Sequence, residues 1–507
     1  MFFRKKKPAP QERNVKEHGY PEDPTGYVWG GRQISPQYFG AHYCIVGATG
    51  SGKTNSIEML MQSALGTGPR PAARAFIYDP KLELYPVLCG MGFRDCTHIM
   101  HPFDARRRAW ALAKDLTDPG IAFELAAILC PSDNQHQDSF WTETGQQLLG
   151  GVIQVLSARA PGVWTLNDLV EATATPQRLK AVLGLLPETA DLIEQFALEP
   201  KPFQSMFATM RSKLNQVGLA AAAWSRSKEP PFSLRDWFDG PPSILLVGAD
   251  ESRDAATGPI VRALFRMMGE FVTSHPNANE QNPTWVFLDE VRLAGRLDGL
   301  KPMLLKGRSK GVHVVLGFQD ILGMQDVYGP NVANELVGQC SNLAFLRITN
   351  PQTAEWASKF IGRKEFEDVT HTKGTTKGTE TTESESIATK AKEKDVVPPQ
   401  MFMLFDMPDE HEGTGMRGAF ILPGDRWVRT VYSRDISKWK PRTDNSVPGY
   451  QPLDSPDEMR RSVWTASDFA RLNLEELQSS LANPEPSEPV DIVDDEEPDF
   501  PLESPLE

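Results

Sequence analysis

The stretch that decides the fold runs from residue 44 to residue 54 and reads Cys44-Ile45-Val46-Gly47-Ala48-Thr49-Gly50-Ser51-Gly52-Lys53-Thr54. It begins with apolar residues, continues as a Gly-rich turn, and leads into Ser56–Leu65, where apolar residues recur at helical spacing. The turn satisfies the pattern GxxxxGKS/T between a strand and a helix, which is the context that a phosphate-binding loop needs. Motif and context together therefore predict such a loop.

The residues of this loop predict binding of ATP and Mg²⁺. The glycines allow backbone N–H groups to close around phosphates, and the positive end of the following helix attracts them further. We expect Lys53 to reach the β- and γ-phosphates and the Thr54 hydroxyl to face Mg²⁺. The predicted nucleotide-binding residues are Gly47, Thr49, Gly50, Ser51, Gly52, Lys53 and Thr54.

Two adjacent acids end a second apolar run, Thr284–Asp289. A buried parallel strand delivers such side chains to its carboxyl end, where ligands bind in α/β sheets. Asp289 is therefore predicted to bind Mg²⁺, and Glu290 to polarise the attacking water. Adjacent acids after an apolar run also occur at ordinary surface turns, so the prediction depends on the phosphate loop being present.

A third apolar run, Gly311–Phe318, ends at Gln319. This arrangement places an amide beside the two carboxylates, and we expect Gln319 to sense the γ-phosphate. The alternative is that Gln319 is only a polar residue at the end of a strand. His313 lies inside the run and is interpreted as a packed histidine.

A basic stretch lies between the last two runs and carries a net charge of +5 over nineteen residues. It contains six cations against the single acid Asp298: Arg292, Arg296, Lys301, Lys306, Arg308 and Lys310. Such a stretch can contact a phosphate backbone, or Arg308 can act on the ATP of a neighbouring subunit to stabilise transition-state charge. A solvated basic surface is the third alternative.

Length and patterning predict an α/β fold with more than one domain, because a single core seldom exceeds about 250–300 residues. Short apolar strands predict a mostly parallel sheet that is covered on both faces. Between residues 118 and 230 helical patterns replace them, which indicates an all-α insertion. The predicted divisions are an N-terminal basic tail over 1–25, a nucleotide-binding domain in two parts over 26–117 and 231–440, the inserted domain over 118–230, and a flexible acidic C-terminal tail over 441–507.

Charge and cysteine content leave DNA binding open and favour a reducing cytoplasm. The net charge is −14, but residues 483–507 contain ten acids and no Lys or Arg, which leaves −4 for the rest. The five cysteines are scattered and form no metal-binding or disulfide pattern. No run has the roughly 18–20 consecutive apolar residues that a membrane helix needs. We therefore expect a soluble, cytoplasmic protein.

One polar segment, 370–386, allows two interpretations. It is rich in Thr, Gly, Lys, Glu and Ser. A solvated loop and a long polar hairpin at a subunit contact both fit this composition. Further on, a short helix is expected over Ala466–Leu481.

Several motifs in one order resemble the TraD/TrwB family of type IV secretion coupling proteins, over roughly residues 25–425. Besides the phosphate loop, they are Ile77-Tyr78-Asp79-Pro80-Lys81, Phe140-Trp141, Phe287-Leu288-Asp289-Glu290, Lys306-Gly307-Arg308, Gly317-Phe318-Gln319 and Asn350-Pro351-Gln352-Thr353-Ala354-Glu355-Trp356. The resemblance implies a RecA-like ATPase domain interrupted by an all-α domain. It also implies a homo-hexameric ring that draws single-stranded DNA and its attached relaxase toward a type IV secretion channel.

Carried onto matching positions, the resemblance assigns ATP phosphates and Mg²⁺ to Gly52, Lys53 and Thr54, and the in-trans arginine to Arg308. Members of this family usually begin with paired transmembrane helices, whereas about forty polar residues precede the loop here. We therefore expect recruitment to the inner membrane by a partner, aided by Arg4–Lys7, or pumping of DNA without a membrane channel.

Two other functions remain open at this point. One is a motor of the HerA/FtsK type that processes chromosomal or phage DNA. The other is an ATP-dependent adaptor that binds relaxosome or effector proteins without motor activity. DNA would stimulate ATP hydrolysis by the motor, whereas ATP hydrolysis by the adaptor would not depend on DNA.

Overall fold

A computed structural model describes residues 20–116, 118, 120–131, 139–196, 200–377, 381–408 and 414–482. Two features singled out in the sequence, the basic cluster Arg4–Lys7 and the acidic segment 483–507, lie outside the described residues. Within the described part of the chain, no helix is long and apolar enough to cross a membrane.

The strands are short, apart from one pair of fifteen-residue strands. They occupy Glu22–Trp29 (β1), Arg32–Ile34 (β2), Tyr43–Val46 (β3), Arg74–Asp79 (β4), Thr97–Ile99 (β5), Ile244–Gly248 (β6), Thr284–Leu288 (β7), Val312–Phe318 (β8), Asn342–Phe345 (β9), Arg363–Lys377 (β10), Thr381–Asp395 (β11), Met416–Leu422 (β12) and Asp425–Val431 (β13). β1 begins inside the segment 1–25 that was expected to be a tail, because it pairs with β2 as an antiparallel hairpin.

The helices divide between the sheet region and a block inserted into it. They are Lys53–Leu65 (α1), Leu84–Gly90 (α2), Leu112–Asp115 (α3), Gly120–Leu129 (α4), Ser139–Arg159 (α5), Leu166–Ala172 (α6), Pro176–Leu183 (α7), Pro187–Phe196 (α8), Pro200–Ser225 (α9), Leu234–Asp239 (α10), Asp254–Ser274 (α11), Leu300–Lys306 (α12), Ile321–Tyr328 (α13), Pro330–Gly338 (α14), Pro351–Ile361 (α15), Pro399–Met403 (α16), Ser433–Trp439 (α17), Ala466–Arg471 (α18) and Glu475–Ala482 (α19). All described elements from α4 to α9 are helices.

Nine of the described strands form one sheet in the order β13-β12-β9-β3-β8-β7-β4-β6-β5. The seven strands from β9 to β5 are parallel to their neighbours, whereas β12 pairs with β9 and β13 in antiparallel register. The three apolar runs that were predicted from the sequence, β3, β7 and β8, lie together with β4, β5, β6 and β9 in this parallel part. The fold is α/β with a mostly parallel sheet.

Alternating side chains of the parallel strands enter two separate cores, one on each face of the sheet. In β3, Cys44 and Val46 belong to one core, whereas Tyr43 and Ile45 belong to the other. The helix α1 covers the second face, and α11 covers the first, where Phe265 lies 4.7 Å from Phe76 between ring centroids. Because both faces are covered, the parallel strands are mostly apolar.

The segment 370–386 belongs to a hairpin. β10 and β11 pair without interruption from Arg363↔Asp395 to Lys377↔Thr381. Of the two alternatives that the sequence left open, the solvated loop is therefore wrong and the hairpin is confirmed, whereas its place at a subunit contact stays a prediction. The many threonines explain this outcome, since β-branched residues favour strands.

The C-terminal tail expected over 441–507 is ordered against the rest of the chain as far as Ala482, contrary to the expectation of a flexible tail. We call residues 441–482 the C-terminal strap. The segment folds because a few apolar side chains within its polar sequence find buried positions: Trp464, Phe469, Leu472, Leu474 and Leu477. The single helix expected over 466–481 is two helices, α18 and α19, separated by a turn in which Asn473 has φ 54°.

The strap contacts two buried carboxylates of α6, Asp168 and Glu171, which are 1% and 0% exposed. Arg471 Nη2 lies 2.8 Å from Asp168 Oδ1, and the Trp464 indole donates to the same oxygen at 2.9 Å. Arg461, also from the strap, forms an ion pair with Glu171. Because a buried charge without a partner is strongly destabilising, the inserted helices and the strap depend on each other.

Leu474→Ala is expected to destabilise the protein by about 2–4 kcal/mol, since Leu474 is fully buried and its removal leaves a cavity. The matched control is Val463→Ala, at a strap position that is 55% exposed, where a change of no more than about 0.5 kcal/mol is expected. Urea unfolding followed by tryptophan fluorescence measures both. Equal midpoints for the two variants would show that the strap does not pack as described.

Candidate nucleotide-binding site

The candidate site lies at the carboxyl edge of the parallel sheet, where β3, β8 and β7 end side by side. The Gly47 N–H donates to the Phe318 carbonyl at 3.2 Å, which joins the start of the loop to the end of β8. Gly317 permits the next strand to come close, because a Cβ there would lie 2.2 Å from the Asp289 carbonyl oxygen. The sheet thereby brings together the phosphate loop, the two carboxylates and Gln319.

The loop backbone depends on two glycines with positive φ angles. Gly50 has φ 75° and Gly52 has φ 99°, conformations that are costly for residues with a Cβ. A Cβ at Gly52 would also lie 2.4 Å from the Met416 sulfur, so the space for a side chain is absent. Thr49 is exposed at the rim of the loop, whereas Ser51 is fully buried beneath it. A cradle of this shape suits phosphate oxygens.

Lys53 begins α1 and directs its amine into the curve of the loop. The ammonium group donates to the Gly47 carbonyl at 2.8 Å and to the Ala48 carbonyl at 3.4 Å, with only 7% of the residue exposed. Burial lowers the pKa of this amine, while the nearby Glu290 and Asp289 carboxylates oppose that shift. The result is a largely desolvated cation at the centre of the loop, where its attraction for a phosphate is only weakly screened.

Thr54 and Asp289 have the geometry that a Mg²⁺ site needs. The Thr54 hydroxyl donates to Asp289 Oδ2 at 2.8 Å. The other carboxylate oxygen, Oδ1, is buried and has no hydrogen-bond partner among the described residues. A buried carboxylate oxygen without a partner is costly unless a cation binds it. Hydroxyl and carboxylate oxygens are ligands that Mg²⁺ prefers, so these residues fit the ion.

Glu290 lies next to the metal carboxylate and is linked to Gln319. The Gln319 amide donates to Glu290 Oε2 at 3.4 Å. Burial raises the pKa of Glu290, although Lys53 and the Gln319 amide act in the opposite direction. A carboxylate with a raised pKa is a better base, and its amide partner fixes its orientation. The pair can therefore hold a water and sense an adjacent phosphate.

Arg308 is not brought to the phosphate loop of its own chain. It lies just before β8, at the opposite edge of the sheet from Gln319, and its side chain is exposed. Of the other cations in the basic stretch, Arg296 pairs with Asp298 at 3.0 Å and Lys301 with Glu335 at 2.8 Å. The structure thus separates Arg308 from the remaining predicted site residues.

Sequence reasoning missed one cation that the fold places at this site. Lys81 follows β4, and its amine lies 3.6 Å from Asp289 Oδ2. The signal was available in Asp79-Pro80-Lys81, a motif that follows an apolar strand, as Asp289 and Glu290 also do. The pairing of β4 with β7 supplies the missing information, since it makes the two strand ends neighbours.

Gly52→Ala is expected to weaken nucleotide binding at least tenfold, because the new Cβ meets both an unfavourable φ and the Met416 sulfur. Gly66→Ala is the matched control, since Gly66 also has a positive φ, 74°, but a methyl group added there would have nothing within 4 Å. Titration with a fluorescent ATP analogue measures both affinities. Unchanged binding by the Gly52 variant would contradict the assignment of the loop.

Comparisons with known proteins all point to the same family. The profile of a family described as the type IV secretion-system coupling protein DNA-binding domain matches residues 27–414. The conjugal transfer protein TraG of Agrobacterium fabrum is 24% identical over 372 residues, which is 66% of this chain and 54% of TraG. The chain thus spans about half the length of this curated relative.

Solved structures of the conjugative coupling protein TrwB share the fold. An unbound form of TrwBdeltaN70 superposes with a TM-score of 0.66 at 22% identity and covers 85% of this chain and 92% of that one. TrwB in complex with ADP and Mg²⁺ gives a TM-score of 0.65 at 21% identity, covering 85% and 93%. The sheet and its inserted helices therefore form a RecA-like α/β fold, and the match of the family profile over most of the chain shows that it belongs to the type IV secretion-system coupling proteins.

Proposed function

We propose that this protein is a Mg²⁺-dependent ATPase that moves DNA, and that it acts as the coupling protein between a relaxase–DNA complex and a type IV secretion channel. One observation carries the proposal. The phosphate loop, the Thr54–Asp289 pair and the Glu290–Gln319 pair converge at one edge of the sheet. Loop, metal ligand and base are the parts that P-loop hydrolysis requires.

Each residue of this cluster has a separate task in the proposed reaction. Bound Mg²⁺ would neutralise part of the charge of ATP. Attack of water on the terminal phosphorus would break the phosphoanhydride bond, so that ADP and inorganic phosphate leave. Lys53 and the loop N–H groups bind and orient the phosphates, while Thr54 and Asp289 hold the metal. Glu290 orients the water and accepts its proton at the carboxylate, and Gln319 fixes Glu290 in position.

The relatives support a purine nucleotide with Mg²⁺ as ligand, since TrwB has also been solved with the GTP analogue GDPNP, and they support the choice of partners. TrwB has been crystallised with ADP and Mg²⁺ and with the non-hydrolysable ATP analogue ADPNP. The family profile is that of a DNA-binding domain, and TraG is a conjugal transfer protein. On this basis we propose ATP, Mg²⁺ and single-stranded DNA as ligands, and relaxosome proteins and the secretion channel as partners.

The position of Arg308 supports a ring. An arginine at the opposite edge of the sheet is remote from the loop of its own chain but can be offered to a neighbouring molecule. In a head-to-tail homo-hexamer each Arg308 would then stabilise transition-state charge in the next subunit. We further propose that the ring works on the cytoplasmic side of the inner membrane and is held there by a membrane partner.

Single-stranded DNA is expected to stimulate steady-state ATP hydrolysis at least severalfold, with Lys53→Ala as the inactive reference. The stimulation should fall steeply as salt rises, since DNA contacts release counterions. A preference for double-stranded DNA would favour the HerA/FtsK type of motor. Hydrolysis that ignores both DNAs at every salt concentration would favour the adaptor and contradict the proposal.

Mixed rings test the role of Arg308. Arg308→Ala subunits and Lys53→Ala subunits should each be inactive alone, and a mixture should regain hydrolysis, because an intact loop then meets an intact arginine. Lys53→Ala mixed with Glu290→Gln is the control, since both changes lie in the same half of the site and no mixture restores it. If the first mixture is as inactive as the control, Arg308 does not act in trans.

A further inference from the structure

The Lys81 amine lies near a carboxylate oxygen of Asp289, which is one of the two predicted metal ligands. Its amine lies 3.6 Å from Asp289 Oδ2, the oxygen that also accepts the Thr54 hydroxyl at 2.8 Å. The amine therefore lies beside the carboxylate that would hold Mg²⁺. None of the roles assigned so far uses it.

The turn that carries Lys81 is fixed by a buried carboxylate. Asp79, at the end of β4, is 3% exposed and accepts the Leu84 N–H at 2.8 Å and the Glu83 N–H at 3.3 Å. These bonds close the backbone on both sides of Lys81. Burial raises the pKa of Asp79 to about 6, even though the two N–H groups favour its charged form.

Leu82 anchors the same turn from the other side. Its φ of 57° is unusual for a residue with a side chain and is held by close packing. A Cβ at Gly248 would lie 2.6 Å from the Leu82 side chain, and a Cβ at Gly449, in the C-terminal strap, would lie 2.0 Å from the Leu82 carbonyl oxygen. Sheet and strap thus hold the backbone of the turn in place, while the Lys81 side chain is half-exposed.

The two lysines of the site differ in how far their side chains are exposed. Lys53 is 7% exposed and donates to loop carbonyls, whereas the Lys81 side chain is 49% exposed. A half-exposed amine on a rigid turn can swing over a short distance without changing the backbone. The formal charges of the four side chains sum to zero, because the cations Lys53 and Lys81 lie near the carboxylates Asp289 and Glu290.

We propose that Lys81 is a second phosphate-binding cation of this site, which contacts the terminal phosphate of bound Mg-ATP and favours the triphosphate over the diphosphate. The inference rests on the proposed function, since it concerns the same nucleotide site. Lys81 lies beside Asp289, which would hold the metal that bridges to the terminal phosphates, so its amine would face that end of a bound nucleotide. Its attraction should therefore act mainly on the charge that ADP lacks.

The test measures the affinity of the protein for two nucleotides in the presence of Mg²⁺. One is a fluorescent non-hydrolysable ATP analogue, and the other is fluorescent ADP. Lys81→Ala should weaken analogue binding about fivefold to tenfold and ADP binding no more than about twofold. Lys81→Arg should keep most of the preference, because it retains the charge. The readout is the ratio of the two affinities, which a general loss of folding would not change.

Lys114→Ala is the matched control. The Lys114 side chain is 47% exposed and pairs with Asp236 at 2.5 Å, remote from the site, so both affinities should stay unchanged. If Lys81→Ala weakens both ligands equally, or neither, the inference is overturned. Failure of the proposed function is a separate result, in which Lys53→Ala also leaves the binding of both ligands unaltered.

Discussion

The parallel pairing of β3 with β8, and of β8 with β7, is the constraint on which the rest of the structure depends. It brings the loop after β3, the amide after β8 and the carboxylates after β7 to one edge, although more than 230 residues separate Thr54 from Asp289 along the chain. The hydrogen bond between these two side chains is the contact that joins the phosphate loop to the metal carboxylate. An α/β sheet of this kind keeps such an edge open for a ligand.

Around this edge the chain adds parts that tie the nucleotide site to the inserted helices. Lys440 lies 3.1 Å from Glu58 of α1, the helix that follows the phosphate loop. The C-terminal strap starts at the next residue, passes the turn of Lys81 at Gly449, and further on contacts the buried carboxylates of α6. The strap and its ion pairs therefore connect the nucleotide site to the inserted helices without a break.

Much of the fold and of the site follows from local sequence. The phosphate loop has a fixed motif, and the strands before Asp289 and Gln319 are apolar runs, so their residues and positions were predictable without a structure. Lys81 was given no role, although Asp79-Pro80-Lys81 follows an apolar strand, because its place beside Asp289 depends on β4 pairing with β7. The strap was wrongly expected to be a flexible tail for a related reason. Its composition is that of a tail, and distant partners that include Asp168 and Glu171 supply the surface against which Trp464 and Arg461 pack.

The central claim is that hydrolysis at this edge drives movement along DNA, and displacement of streptavidin from a biotinylated single strand tests it most directly. With Mg-ATP, the wild-type protein should remove streptavidin from one end of the strand faster than from the other, and should not do so with a non-hydrolysable analogue. Lys53→Ala should be inactive under both conditions. DNA-stimulated hydrolysis without any displacement from either end would contradict the account.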